Sequence, residues 1–303
     1  VTVPGPLGLV VVPGPLTLIE DAGRPGWRRD GVAPSGAFDR RALRLANRLV
    51  GNAEGCAVLE ITLGGLVVQW RAEVVVAVAG AEVAVQLDGA DIPAGGPWRA
   101  GAGSVLSIGR ATRGLRAYLA VRGGIGAERV LGSRSRDVFG GLGPPPLRPG
   151  DTVTSAAEPP AGSPVWAPTT PPVPLPPAVG EVVVGVHPGP RAELFRPESV
   201  AALFSAAYTV TPDSNRSALR LAGPALVRTD TRELDPEPVL RGAIQVPGSG
   251  LPLVFGPDHP VTGGYPVVAV VDDTDTDLLA HLRPGQTLRF RPPGAGPVSR
   301  TVR

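Results

Sequence analysis

From position 156 to 180 the chain reads AAEPPAGSPVWAPTTPPVPLPPAVG. Proline at this density removes backbone donors and fixes φ, which rules out helix interior and central strand. The stretch is therefore expected to run as an extended, locally stiff connector. It divides 303 residues into two parts, each about the size that one hydrophobic core supports. The expected organisation is an N-terminal domain over 1–155, a proline-rich linker over 156–180 and a C-terminal domain over 181–303.

On either side of the linker, glycine and proline punctuate the text at short intervals. Glycine (41) and proline (37) make up about a quarter of the chain, a level that signals disorder in a polar sequence. Here 43% of residues are hydrophobic, 18% are charged and the mean hydropathy is +0.13. Such a chain can bury a core, so the punctuation marks many short strands.

LTLIED at 16–21 alternates as a strand and AGRPGW at 22–27 breaks it. From 35 to 52 the period changes: Ala42, Leu45, Ala46 and Leu49 fall on one helical face, with arginines opposite, Ser35 or Asp39 as cap, and Gly51 and Asn52 at the exit. Strand candidates follow at 58–70, 73–80, 82–89, 105–109 and 115–124, a spacing that suits a barrel or sandwich.

Beyond the linker come a strand at 181–187, a short helix begun by Pro197, and a strand from Tyr208 into a polar turn. A strand at 267–272, a short helix at 275–282 and a final strand TLRFRP complete it. LRPGDTV at 147–153 and LRPGQTL at 282–288 close the two halves almost alike, which fits two copies of a related β-barrel.

The chemical inventory excludes more than it includes. A net charge of +2 gives no excess to attract polyanions, so nucleic acid is not an expected partner. Every basic residue other than histidine is arginine, so there is no lysine for a phosphate loop, a Schiff base or biotin attachment. The single cysteine, Cys56, has no internal disulfide partner and reads as a buried structural thiol. The apolar run at 7–12 is too short for a signal core or a membrane span, and a soluble cytoplasmic protein is expected.

His187, His259 and His281 are scattered, and no metal site is expected. His281, near the end of a short helix, reads as a charge complementing the helix dipole. RGGIGAERVLGSRSRD at 122–137 combines glycines and arginines in a way that suits an anion, or equally a solvated loop.

The stretch GAIQVPGSGLPLVFGPDHPVTGGYP at 242–266 reads as two short buried strands joined by glycine and proline turns, with Gln245, Asp258, His259, Thr262 and Tyr265 as polar handles. It is either a core hairpin or a site where glycine lets the backbone approach a ligand. Asp258 and His259, adjacent on an extended chain, would face opposite ways. A turn favoured by Pro257 and Pro260 is needed for both to serve one ligand.

This stretch, together with EDAGRPGWRRDGVAPSGAFDRRALRLANRLVGN at 20–52, LEITLGG at 59–65, VRGGI at 121–125 and LGSRSRD at 131–137, resembles the family of the 5-oxoprolinase C subunit. That family is also described as allophanate hydrolase subunit 2, as kinase-inhibitor antagonists, or as biotin-dependent carboxyltransferases. The resemblance runs nearly end to end. It implies a mainly β chain of two tandem cyclophilin-like β-barrel domains with a few short helices.

It also implies two partner proteins, of the B type and the A type, which together with this chain open 5-oxoproline to L-glutamate using ATP and Mg²⁺. The alternatives it carries are a component of a urea carboxylase-like carboxyltransferase, with biotin on a separate carrier, and a non-catalytic antagonist of a kinase inhibitor.

For the site, the resemblance points to Gln245, Asp258 and His259 as catalytic, with Asp258 as base or metal-facing carboxylate. Thr262, Tyr265, Asp21, Arg24, Ser35, Asp39, Glu60 and Arg216 would bind substrate. Helix capping by Ser35 or Asp39 and a turn-holding role for Glu60 are the structural alternatives.

Overall fold

A computed structural model describes residues 5–164, 173–178, 180–230 and 232–292. Of the proline-rich stretch, 165–172 and 179 lie outside the described residues. The protein is mainly β, with three short α-helices among the described residues. None of them is long and apolar enough to cross a membrane. Its contacts divide it into two units, Val1–Ala178 with Ala280–Arg283, and Val179–Leu279 with Pro284–Arg303.

The first unit contains β1 (Pro6–Pro13), β2 (Leu16–Glu20), α1 (Arg40–Val50), β3 (Val58–Thr62), β4 (Leu66–Trp70), β5 (Val74–Glu82), β6 (Val85–Leu87), β7 (Ala90–Ile92), β8 (Pro97–Ala100), β9 (Val105–Ile108), β10 (Arg113–Val121), β11 (Ile125–Gly126) and β12 (Thr152–Ser155). They form two antiparallel sheets, ordered β11-β12-β1-β4-β9-β6-β7 and β2-β3-β10-β5-β8. One core lies between them, with Leu59, Ile61, Leu119 and Val121 from the second sheet against Val10, Val68, Trp70 and Leu106 from the first. The alternation along the strands sends these residues to one face.

On its other face the five-stranded sheet carries α1, whose Ala42, Leu45, Ala46 and Leu49 pack on Val58, Ala77, Ala79, Tyr118 and Ala120. Period 3.6 on the helix meets period 2 on the strands, and apolar area leaves water on both sides.

The single strand expected at 58–70 is two. Leu63, Gly64 and Gly65 all have positive φ, at 63°, 78° and 84°, so the chain turns a corner from β3 in one sheet to β4 in the other. A Cβ on Gly64 would stand 2.0 Å from the Gly109 carbonyl oxygen. A leucine beside two glycines conceals that corner from a reading of hydrophobic period. β1 lies in the apolar run at 7–12, and pairs with β12 and β4.

The second unit is a closed barrel ordered β13-β20-β17-β18-β15-β14-β21. Its elements are β13 (Glu181–Pro188), α2 (Pro197–Ser205), β14 (Tyr208–Val210), β15 (Ala218–Ala222), β16 (Glu237–Pro238), β17 (Ala243–Gln245), β18 (Leu253–Phe255), β19 (Thr262–Gly263), β20 (Val267–Val271), α3 (Thr276–Leu279) and β21 (Thr287–Arg291). β13 and β21 close the ring in parallel, and β16 pairs with β19 as a separate ribbon. The two buried strands expected within 242–266 are β17 and β18, paired antiparallel.

Two further expectations change. The proline-rich stretch does not stand off as a connector over 156–162: the Ala161 and Gly162 N–H groups both donate to the Gly51 carbonyl, and Glu158 N–H donates to Gly123. The helix expected at 275–282 stops after one turn. The Ala280 carbonyl, whose helical partner would be Pro284 with no N–H, accepts from Arg116 Nη1 at 2.5 Å, and Ala280–Arg283 belongs to the first unit.

Candidate functional site

The family-matched polar residues form separate clusters inside each unit. In the first unit β2 ends at Glu20 and delivers Asp21 to a turn. Its Oδ1 accepts from Gly23 N–H at 2.8 Å, Ser133 Oγ at 2.6 Å and Ser135 Oγ at 2.7 Å, and its Oδ2 from Arg134 N–H at 2.7 Å. Ser135 Oγ in turn accepts from Asp21 N–H at 2.8 Å. A carboxylate with this many donors is satisfied without a cation.

Gly23 makes the turn possible. It has φ 87°, and a Cβ there would lie 2.5 Å from the Pro34 carbonyl oxygen. Arg24, 1% exposed, donates Nε to the Val130 carbonyl at 3.3 Å and Nη2 to that of Ser135. Ser35 Oγ donates to the Arg136 carbonyl at 3.1 Å. Asp21, Arg24 and Ser35 thus converge on 130–136, within the segment that the sequence leaves open between anion site and solvated loop. Ser35 is not the helix cap.

That cap is Asp39, whose Oδ1 accepts from Arg41 and Ala42 N–H at 2.9 and 3.1 Å. Its Oδ2 lies 2.9 Å from His281 Nε2, and both side chains are wholly buried. Burial alone would raise the Asp39 pKa, but the His281 bond and charge, Arg41 and the Ala42 N–H outweigh it and hold the carboxyl below its ordinary value. His281 is therefore a buried partner in the first unit rather than a helix-end charge. A one-turn helix has little dipole to complement.

Asp39 N–H donates to the Tyr118 hydroxyl at 2.7 Å, which donates to Glu60 Oε2 at 3.0 Å. Glu60 also accepts from Phe38 N–H at 2.8 Å and pairs with Arg116 at 3.3 Å, and the Arg116 guanidinium lies 4.5 Å from the Phe38 ring centre. Burial first, then the Glu60 and Asp39 charges, push the Tyr118 phenol well above its ordinary range. It remains a neutral bridge. Asp39 and Glu60 are brought together, but inside the wall rather than at a surface.

In the second unit Arg216 and Asp258 form a buried bidentate pair, Nε to Oδ2 at 2.8 Å and Nη2 to Oδ1 at 3.1 Å. Pro257 and Asp258 form the needed turn. His259, 1% exposed, places Nδ1 2.6 Å from the Pro260 carbonyl. A carbonyl only accepts, so that nitrogen carries a proton. Its ring packs at 42° on Phe255.

Gln245 Nε2 donates to the Tyr265 carbonyl at 2.8 Å. A Cβ on Gly263 would sit 2.6 Å from that amide nitrogen. Thr262 and Tyr265 are exposed, and Tyr265 serves through its backbone.

A cleft of about 250 Å³ lies in the first unit beside Asp21, lined also by Gly23, Cys56, Arg129, Gly132, Arg134 and Glu158. Cys56 is buried, and burial, with the Glu158 charge adding to it, raises its thiol pKa. An apolar gap near Val76, Ile92 and Trp98 offers only about 10 Å³, room for one water at most. Among the described residues no three His, Cys, Asp or Glu side chains are placed to hold a metal. Arg129 falls within the 122–137 segment read as suiting an anion, whereas Glu158, Tyr118 and Arg116 were not singled out from sequence, because nothing in local spacing ties them to Asp21 or Asp39.

A family model described as carboxyltransferase domain, subdomain A and B, matches residues 30–292. The chain is similar to the C subunit of 5-oxoprolinase from Escherichia coli, 35% identical over 281 residues, which is 90% of this chain and 87% of that protein. It is also similar to urea amidolyase of Saccharomyces cerevisiae, 35% identical over 294 residues, which is 91% of this chain but 16% of that protein. The crystal structure of the K. lactis urea amidolyase superposes with a TM-score of 0.88 at 33% identity, over 95% of this chain and 19% of that one. Matched by the model and by relatives along almost its whole length, the chain belongs to the carboxyltransferase subdomain A and B family.

Proposed function

We propose that the protein acts as the C component of a 5-oxoprolinase, opening 5-oxoproline to L-glutamate at the expense of ATP together with A-type and B-type partner proteins. The observation that carries this reading is the match along most of the length of the 5-oxoprolinase C subunit from two bacteria, 87% of the Escherichia coli protein and 86% of the Haemophilus influenzae one. The cleft beside Asp21 supports it, since its size suits a small molecule and guanidinium and glycine backbone line it.

In such a reaction the lactam oxygen takes the γ-phosphoryl group of ATP as ADP leaves, water adds to the activated carbon, the ring C–N bond breaks, and phosphate and glutamate leave. Arginines and backbone N–H groups stabilise the negative charge that develops on oxygen. The residues here do not fit a resident Mg²⁺: Asp21, Glu60 and Asp258 already accept from N–H, O–H or guanidinium donors, and no step is assigned to the metal on this chain. In the second unit Arg216 engages both Asp258 oxygens, so a base role for Asp258 requires that pair to part.

Mixed with its A-type and B-type partners, the chain is expected to consume ATP only when 5-oxoproline is present. ATP consumption that ignores 5-oxoproline, or none, overturns the reading.

A second reading, a component of a biotin-dependent carboxyltransferase, draws on the family model and on the urea amidolyase superposition. This sequence offers no lysine to carry biotin, so the reading requires an avidin-detectable carrier in the purified complex.

A further inference from the structure

The cleft beside Asp21 contains an ion cluster that neither the fold nor the reaction above requires. Arg129 Nη2 and Arg134 Nη1 both reach the same oxygen of Glu158, at 2.6 and 2.7 Å. Arg134 is held in place from behind, with Nε on the Ala127 carbonyl at 3.1 Å and its own N–H on Asp21. Its side chain is 13% exposed, so its guanidinium is a fixed donor pointing at the cleft.

Asp21 does not compete for the arginines, because two hydroxyls and two backbone N–H groups already satisfy it. With Arg129, Arg134, Asp21 and Glu158 all ionised, the wall is neutral. Without Glu158 at its post the same wall carries one net positive charge and two convergent guanidiniums.

Glu158 arrives from outside the regular structure. It lies three residues beyond β12, on a stretch tied down through backbone: Ala156 N–H to Gly124, Glu158 N–H to Gly123, and Ala161 and Gly162 N–H to Gly51. Its carboxylate can therefore leave by rotating about side-chain bonds, with no backbone bond broken. The Arg134 bond, followed by that of Arg129, outweighs burial and holds the Glu158 carboxyl below its ordinary value. Even with Glu158 in place the cleft keeps about 250 Å³, roughly the volume of eight waters, and Gly23, Gly55 and Gly132 leave its lining without side chains at three points.

We infer that this cleft is a binding site for the carboxylate of a small molecule, and that Glu158 is its internal occupant, displaced when the ligand's carboxylate takes the two guanidiniums. The geometry suits a carboxylate because Arg129 and Arg134 already converge on one. The inference does not depend on which reaction the complex performs.

The test uses the full chain alone. L-Glutamate, L-5-oxoproline and succinate are titrated calorimetrically into wild type, Glu158→Gln, and Glu158→Gln combined with Arg134→Gln or with Arg129→Gln. Inorganic phosphate and the uncharged amide of 5-oxoproline serve as controls. Shifts of the Gly23 and Gly132 amide NMR signals, both from the cleft lining, report occupancy at the place itself.

At least one carboxylate is expected to bind Glu158→Gln about tenfold or more tighter than wild type, to shift the Gly23 and Gly132 amide signals, and to lose that binding when either arginine is also replaced. Glu158→Gln binding no carboxylate better than wild type, binding that survives both arginine changes, or phosphate or the uncharged amide binding as well as the carboxylates would each overturn it. Should Glu158 merely staple its segment, Glu158→Gln lowers the melting temperature with no gain in binding, which also overturns the inference. Because binding is read without partners, failure here leaves the turnover experiment untouched, and failed turnover leaves this one untouched.

Discussion

Asp39 shows how much one short side chain can be asked to do. It caps α1, accepts from His281, and through its N–H reaches Tyr118 and hence Glu60. Removing one member of a buried pair leaves the other uncompensated, so His281→Ala is expected to lower stability by about 3 kcal/mol, measured by urea unfolding. Tyr118→Phe, which deprives the buried Asp39 N–H and Glu60 of a partner, should cost about 1–3 kcal/mol.

The pH dependence has a definite sign. Asp39 is held below its ordinary value in the folded state, so its contribution is present above the unfolded value of about 4 and is lost as pH falls through the lower folded value. Urea unfolding across that acid range should show the loss in wild type, and His281→Ala should flatten it. A slope unchanged by His281→Ala would show that Asp39 is held down by its other donors.

The elements divide by how locally they are specified. The α1 segment was legible because a four-residue apolar face, an Asp at the cap and Gly51 at the exit are all written within about fifteen letters. The buried hairpin of β17 and β18 was legible for the same reason. The corner at Leu63 was not, since a sheet change depends on what lies opposite, here the Gly109 carbonyl. Nor was the early end of α3, since the residues after it meet Arg116 and Asp39, far back in the sequence.

The site residues follow the same division. Asp21, Arg24 and Ser35 carry the family's local text, whereas Glu158 matters only because folding brings it to Arg129 and Arg134. Gly64→Ala tests the corner: a side chain at φ 78°, aimed at a carbonyl, is expected to cost more than about 2 kcal/mol, read as a fall in the urea midpoint. A neutral result would show that β3 and β4 can reach their sheets by another turn.

At the scale of the whole chain, the first unit is not continuous in sequence. Ala280–Arg283 returns to it, where Arg283 donates to the Gly114 and Ala111 carbonyls at 2.6 and 2.7 Å and His281 meets Asp39. A fragment ending at residue 178 should unfold at lower urea than the same unit in the full chain, and a peptide spanning 276–287 added in trans should recover part of the difference.

The same four residues set a clock during synthesis. Roughly 100 residues separate the end of the first unit's main stretch from its last piece, and at about 5–20 residues per second that is a wait on the order of ten seconds. Until then the Arg116 guanidinium and the Asp39 carboxylate of the nascent unit wait for Ala280 and His281, the partners that they hold in the folded unit.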